Sequence, residues 1–217
     1  GKTTVSLNFL AENIELEPVL MGNEFTSLVE KEYQPTPRFL NRIDAMDWVS
    51  WVYEDGSDRF TLLPVFDDFA ENVVKDKINI IDWINIESGE HYMIGSVLNG
   101  IKKAVGRGIA IPVLQKGEGA ETARGGQFTK DFADLELLLD KHGAMESRLT
   151  VGKCKESTEP LTGRSWAFQI RNKGVSICNV REVVKCWNCH GKGFTNHGGC
   201  PECNEVGWFD KKAVPIV

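Results

Sequence analysis

Residues 77–86 read KINIIDWINI, a run of β-branched and aromatic residues with a single carboxylate, Asp82, just past its middle. A half-exposed strand would alternate polar and apolar residues, and in this segment the polar positions Asn79, Asp82 and Asn85 do not follow that period of two. It suits a strand covered on both faces, which occurs almost only in parallel sheets flanked by helices. A carboxylate inside such a run needs a reason, because an unpaired buried charge is costly.

The flanking sequence agrees with that architecture. Residues 92–105 (YMIGSVLNGIKKAV) space their apolar positions as a helix does, Gly106 and Gly108 stop it, and residues 109–114 (IAIPVL) form another apolar strand. Upstream, residues 3–13 read as a partly buried helix, 18–22 (PVLMG) as a short buried strand, and 59–66 (RFTLLPVF) as a strand whose proline suggests an edge or bulge. Residues 27–55 are helical in tendency but broken by Pro35 and Pro37. Strands therefore alternate with helices to about residue 115, the βαβ pattern of a mainly parallel α/β sheet with helices on both faces.

Beyond that point the texture changes. Residues 116–130 (KGEGAETARGGQFTK) are glycine-rich and charged without periodicity, so a mobile loop is predicted. Four strand-like runs follow at 135–139, 148–155, 165–171 and 175–180, read as hairpins at one edge of the same sheet. From residue 184 the composition shifts to Cys, Gly and Trp, which predicts a core over 1–183 and a small module with a tail over 184–217. With 217 residues, 41% hydrophobic and 26% charged, the chain has the balance of an ordinary globular protein. No apolar run reaches the roughly 18 to 20 residues of a membrane span, and the start lacks a signal-peptide pattern, so the expected location is cytoplasmic without a membrane partner. The net charge of −6 excludes a surface that is basic throughout but leaves room for a local basic stripe.

Four of the six cysteines form two C-x2-C pairs within CWNCHGKGFTNHGGCPEC: Cys186 with Cys189, and Cys200 with Cys203. Four thiolates in two knuckles can close a tetrahedral Zn2+ site, and such a closed set belongs to a structural metal rather than a catalytic one. CHGKGF and CNEVGW resemble the CxxCxGxG repeats of DnaJ-type zinc modules. His190 and His197 are read as loop histidines outside the ligand set, and Cys154 and Cys178 as small buried residues of strands.

The first four residues, GKTT, match the end of the phosphate-binding loop GxxxxGK[ST], in which Gly1 closes the loop, Lys2 reaches phosphate and Thr3 ligates Mg2+, with Thr4 beside them. Phosphoryl transfer also needs a carboxylate on a buried strand for the magnesium shell and another near the γ-phosphate to orient water. Asp82 suits the first role, Glu24 in GNEFT after the strand PVLMG suits the second, and Gln115 closes IAIPVL where a γ-phosphate contact is possible.

In this order the motifs resemble the RecA-like P-loop ATPase core, most closely the DnaB-like replicative helicase branch and its plasmid RepA-like relatives. The resemblance spans about residues 1–180. It implies ATP and Mg2+ bound through Lys2, Thr3 and Asp82, water activated by Glu24, and γ-phosphate sensed by Gln115. It further implies Lys153 and Lys155 in VGKCKES reaching a neighbouring subunit's nucleotide, although the family carries arginine at the second position and lysine cannot make its bidentate contact. The glycine-rich loop, with Lys116, Arg124 and Lys130, would meet single-stranded DNA at the centre of a homo-oligomeric, hexameric ring. The implied protein is an ATP-dependent motor or loader of phage or plasmid replication that also meets other replication proteins. A degenerate RecA-like scaffold with a zinc ribbon and a RecA-like recombinase or regulatory ATPase are the alternatives. The first strand and opening glycine of the loop do not precede GKTT here, so weak or no ATP binding is expected of these residues alone.

Overall fold

The computed structural model describes residues 1–85, 93–117, 120 and 122–211. The chain divides into two compact units, one of Gly1–Ala133 with Asn172–Ser176, the other of Asp134–Arg171 with the residues from Ile177 onward.

The first unit is a mixed α/β layer structure. Its elements run α1 (Lys2–Glu12), β1 (Val19–Met21), β2 (Thr26–Val29), β3 (Glu32–Pro35), α2 (Pro37–Ile43), β4 (Thr61–Leu63), α3 (Phe69–Asn72), β5 (Ile78–Ile84), α4 (Ile94–Ala104), β6 (Ile109–Leu114) and α5 (Gln127–Phe132). A four-stranded sheet in the order β4-β1-β5-β6 is parallel at every pairing. The side-chain alternation of its strands separates two cores. Leu20, Ile78 and Ile80 pack with Leu7 and Leu10 of α1 and with Phe39 of α2. Val19, Met21 and Ile81 face the other way, against Phe69 of α3 and Ile94, Leu98 and Ile101 of α4. Each such fully buried aliphatic or aromatic side chain contributes about 1.5–3 kcal/mol, which makes the two-sided packing of β1 and β5 the main source of cohesion here.

Two stretches differ from the sequence expectation. Residues 27–55 are not chiefly helical: β2 and β3 form a hairpin closed at Glu30 and Lys31, both at positive φ (50° and 75°), the backbone that matches strand twist in a tight hairpin. Helix is confined to α2, where Thr36 Oγ1 accepts from the Phe39 N–H at 3.2 Å and Pro37 occupies the first turn. The loop expected over 116–130 is only partly a loop. Lys116 bridges Ala123, the Arg124 N–H donates to the Gln115 carbonyl at 2.8 Å, and α5 begins at Gln127; residues 118, 119 and 121 lie outside the described ones.

The second unit contains β7 (Leu135–His142), β8 (Glu146–Cys154), β9 (Ser165–Arg171), β10 (Ser176–Lys185), β11 (Phe194–Thr195), β12 (Gly198–Gly199) and β13 (Trp208–Asp210). The four expected strand runs form, but they build a separate five-stranded sheet, β13-β10-β9-β8-β7, instead of extending the parallel one. The boundary expected near residue 183 falls inside β10, whose end pairs with β13, Val183 opposite Asp210 and Lys185 opposite Trp208. The cysteine segment is thus framed by two strands of one sheet. Arg181 joins three of those strands, donating to both Glu146 carboxylate oxygens (2.8 and 2.6 Å) and to Asp210 (2.6 Å). Cys154 and Cys178 are half-buried rather than buried. Among the described residues no helix is long and apolar enough to cross a membrane.

β5 carries a second polar residue, Asn79, fully buried and fully engaged. Its Oδ1 accepts from the Val74 N–H (2.8 Å), and its Nδ2 donates to the carbonyls of Val74 (2.8 Å) and Lys77 (3.1 Å). Replacing Asn79 by Ala strands those backbone groups, with an expected loss of about 2–3 kcal/mol in urea unfolding; a loss under about 0.5 kcal/mol would contradict this clamp.

Candidate functional site

Asp82 differs from Asn79 in the respect that matters. It is equally buried, yet neither carboxylate oxygen has a hydrogen-bond partner. It shares the parity of Ile78 and Ile80, so it points to the α1 side of the sheet. There the Thr3 and Ser6 hydroxyls come near enough to favour its charged form without closing a hydrogen bond, and Ser6 Oγ donates instead to the Lys2 carbonyl at 3.3 Å. Burial pushes the carboxyl up from its ordinary range; the Glu24 charge adds to that, while Thr3, Ser6 and Lys2 oppose it.

Lys2, Thr3 and Thr4 make the first turn of α1. Its first helical bond runs from the Val5 N–H to the Gly1 carbonyl (3.1 Å), and no side chain caps it, so the N–H groups of the first turn have no intrahelical acceptor. Those donors and the helix dipole favour an anion. Thr4 is held differently from its neighbours. It is buried, and its hydroxyl donates to the Gly174 carbonyl at 2.8 Å, which fixes the helix start to the 172–174 turn.

Glu24 follows β1 beyond Gly22. A Cβ at Gly22 would lie 2.0 Å from the Asp82 carbonyl oxygen, so only glycine lets the ends of β1 and β5 approach this closely. Glu24 Oε1 accepts from Trp83 Nε1–H at 2.9 Å, which ties the glutamate to the residue after Asp82. Trp83, Gln115 and Arg124 line a small pocket with Ile84, Asn85, Ile94 and Leu114. The strand ends thus bring Gly1, Lys2, Thr3, Asp82 and Glu24 into one neighbourhood, with Gln115 reached through Trp83.

A groove of about 250 Å3 adjoins it, lined by Glu24, Phe25, Arg38, Phe39 and Arg42. The two arginines are absent from the sequence-based site. Their signal was legible: TPRFLNR is a capped helix start with basic residues four apart, hence on one face.

Of the other predicted residues, Arg124 lies beside Gln115 at the small pocket. Lys116 Nζ donates to the Ala120 carbonyl (2.6 Å), Lys130 sits in α5, and Arg124 is exposed. Lys153, on β8, stands opposite Glu136 in the strand register, and Lys155 forms an ion pair with Asp134. Both lysines belong to the second unit.

That unit holds the second candidate site. The Sγ atoms of Cys186, Cys189, Cys200 and Cys203 all lie within 4.8 Å of one another, in side chains that are buried. Cys186 and Cys200 are 3.8 Å apart and Cys189 and Cys203 3.7 Å. Four sulfurs about 2.3 Å from a zinc ion sit at tetrahedral edges of about 3.8 Å, so the cluster can hold a metal such as zinc. His190 and His197 are exposed and outside it. The two knuckles are built alike: the Gly193 N–H donates to Cys189 Sγ (3.3 Å) and the Gly207 N–H to Cys203 Sγ (3.1 Å). Gly193 adopts φ 79°, and a Cβ there would fall 2.2 Å from the Glu205 carbonyl oxygen. Burial opposes ionisation of Cys189, but the Gly193 amide and the neighbouring thiols bring it down to about 7; burial pushes Cys203 up to about 12. A cation is what allows four crowded sulfurs to be thiolates together. Of the aromatics near the knuckles, Trp208 is buried and Phe209 packs on the cysteines, while Trp187 and Phe194 are exposed.

No family model matches this chain, and no curated protein matches it. The reading of both sites therefore rests on their chemistry.

Two outcomes follow. Because the folded Asp82 carboxyl holds its proton above the unfolded value near 3.9, its contribution to stability falls as pH rises from about 4 through the folded value. Asp82→Asn is expected to raise Tm by roughly 2–4 °C at pH 7, with the gain vanishing toward pH 4; a lowered Tm at pH 7 would contradict the unpartnered carboxylate. Metal analysis of the purified protein should return about one zinc per chain, and Cys186→Ser should lose it. Retention of metal by Cys186→Ser would remove the four-sulfur site.

Proposed function

We propose that the first unit is the core of a RecA-like P-loop ATPase of the DnaB-like branch, acting as a motor or loader on single-stranded DNA in a ring-shaped assembly. The observation that carries this reading is the buried Asp82 carboxylate, without a hydrogen-bond partner, next to Lys2 and Thr3 at the start of α1. A carboxylate kept at that cost beside first-turn N–H donors is the arrangement a phosphate and its metal ion complete.

In this reading Lys2 and the first-turn amides bind nucleotide phosphate, Thr3 and Asp82 hold Mg2+, and Glu24, steadied by Trp83, orients the attacking water and takes its proton. Bound Mg2+ supplies charge neutralisation at the phosphates. Gln115 reports the γ-phosphate to the segment carrying Lys116, Arg124 and Lys130, which meets DNA. Lys153 or Lys155 of a neighbouring subunit completes the site. The four-cysteine module holds a structural zinc ion, with the exposed Trp187 and Phe194 available to DNA or to replication proteins.

The test is DNA-stimulated ATP hydrolysis by the full-length protein. Lys2→Ala and Glu24→Ala should each lower kcat by about 100-fold or more. Hydrolysis unchanged in Glu24→Ala would remove that residue from the mechanism. Absence of hydrolysis in the full-length protein, with DNA binding lost in Cys186→Ser, would instead identify a scaffold that binds through its zinc module.

A further inference from the structure

The groove beside Glu24 contains two guanidinium groups that the nucleotide site described above does not use. α2 is held rigidly. Phe39 is buried against Phe25 (ring centroids 5.2 Å) and Phe60 (6.3 Å), and Trp51 Nε1–H donates to the Ile43 carbonyl at 3.0 Å. Arg38 and Arg42, one turn apart on this helix, line the groove together with Glu24. Arg42 is half-buried, Arg38 exposed, and neither forms an ion pair or hydrogen bond among the described residues.

Arg42 lies close to the α1 start as well. A Cβ at Gly174 would meet its Nη2 at 3.7 Å and its Nε at 3.9 Å, and the Gly174 carbonyl is the acceptor of the Thr4 hydroxyl. Asn172 pins the same turn by donating to the Ala45 carbonyl at 2.8 Å, and the Arg42 charge is felt at the Gly1 amine while the Glu24 and Asp82 charges act on Arg42. Two like charges side by side, one of them half-buried, are unfavourable without an anion. Burial and the Arg38 charge loosen the Arg42 proton, and only the Glu24 and Asp82 charges oppose them. Neither carboxylate is close enough to pair with it.

We infer that Arg42, with Arg38 at the mouth of the groove, binds the terminal phosphate of a nucleoside triphosphate from within the same chain. The inference rests on the P-loop reading above and deepens it. Arg42 sits on the Glu24 side, where the phosphate to be cleaved must lie if Glu24 orients the water. A planar guanidinium gives that phosphate two parallel N–H donors, which lysine cannot do. The arrangement makes the groove a discriminator between nucleoside triphosphate and diphosphate, because Lys2 and the helix amides hold the phosphates the two share.

The experiment measures binding of MgATP and MgADP to the full-length protein by calorimetry, with Lys2→Ala, Arg42→Gln, Arg42→Lys and Arg38→Gln as variants. Arg42→Gln should weaken MgATP by roughly 10- to 100-fold and MgADP by less than about 3-fold. Arg42→Lys should recover part of the MgATP loss, and Arg38→Gln should weaken MgATP by about 2- to 5-fold with a shallower salt dependence. Should Arg42→Gln fail to fold, the lysine variant and the exposed Arg38→Gln decide the question. Equal losses for both nucleotides, or no loss, with Lys2→Ala abolishing binding, would overturn the arginine assignment and leave the P-loop reading intact. Unchanged affinity in Lys2→Ala, or no nucleotide bound by the unaltered protein, would overturn both.

Discussion

Burying an ionisable carboxylate without a partner costs free energy, and the first unit is organised around one. β5 can carry Asp82 only because the rest of that strand is packed on both sides by Leu7, Leu10, Met21 and Leu98, whose burial offsets the local penalty. The same strand shows what the alternative looks like. Asn79 is as deeply buried and has its amide fully bonded to the 74–77 turn. One polar residue locks the strand, the other is left available, and the difference lies in whether the backbone nearby offers partners.

The parallel sheet was readable because its strands are mainly apolar, and parallel strands ending on one edge bring Lys2, Thr3, Glu24 and Asp82 near one another. The basic face of TPRFLNR could be read in the sequence, but its place beside Glu24 was hidden for a local reason. Residues 27–55 were read by helical tendency, whereas the two left-handed residues at 30 and 31 make a hairpin and leave α2 as a short separate element that carries Arg38 and Arg42. α5 was hidden similarly: Gly125 and Gly126 mark a loop, yet Gly126 caps a helix that Phe132 anchors on the second core.

The second sheet could not be distinguished from an edge extension by pattern alone. Alternating strands specify which face is buried, not which sheet they join. What decides the matter is long-range: β10 is ten residues long and takes β9 on one side and β13 on the other. Arg148 lies 4.0 Å over the Trp208 ring, and Arg164 pairs with Glu182 (2.9 Å), whose carboxyl is held down to about 2 by Arg164 and Lys211. These cross-strand partners are far apart in sequence and leave no local signature.

The two knuckles complete one another. The Cys186 N–H donates to the Gly207 carbonyl (2.8 Å) and the Cys200 N–H to the Gly193 carbonyl (2.9 Å), so neither half can close alone. β13 has three residues, too few for ladder bonds by themselves to set its register against β10. The cysteine segment therefore works as a buckle: fastening the sulfurs brings Trp208 opposite Lys185 and under Arg148. Whatever unfastens them, a chelator or an oxidant, is felt first as a slipped strand at the rim of the sheet, away from any sulfur.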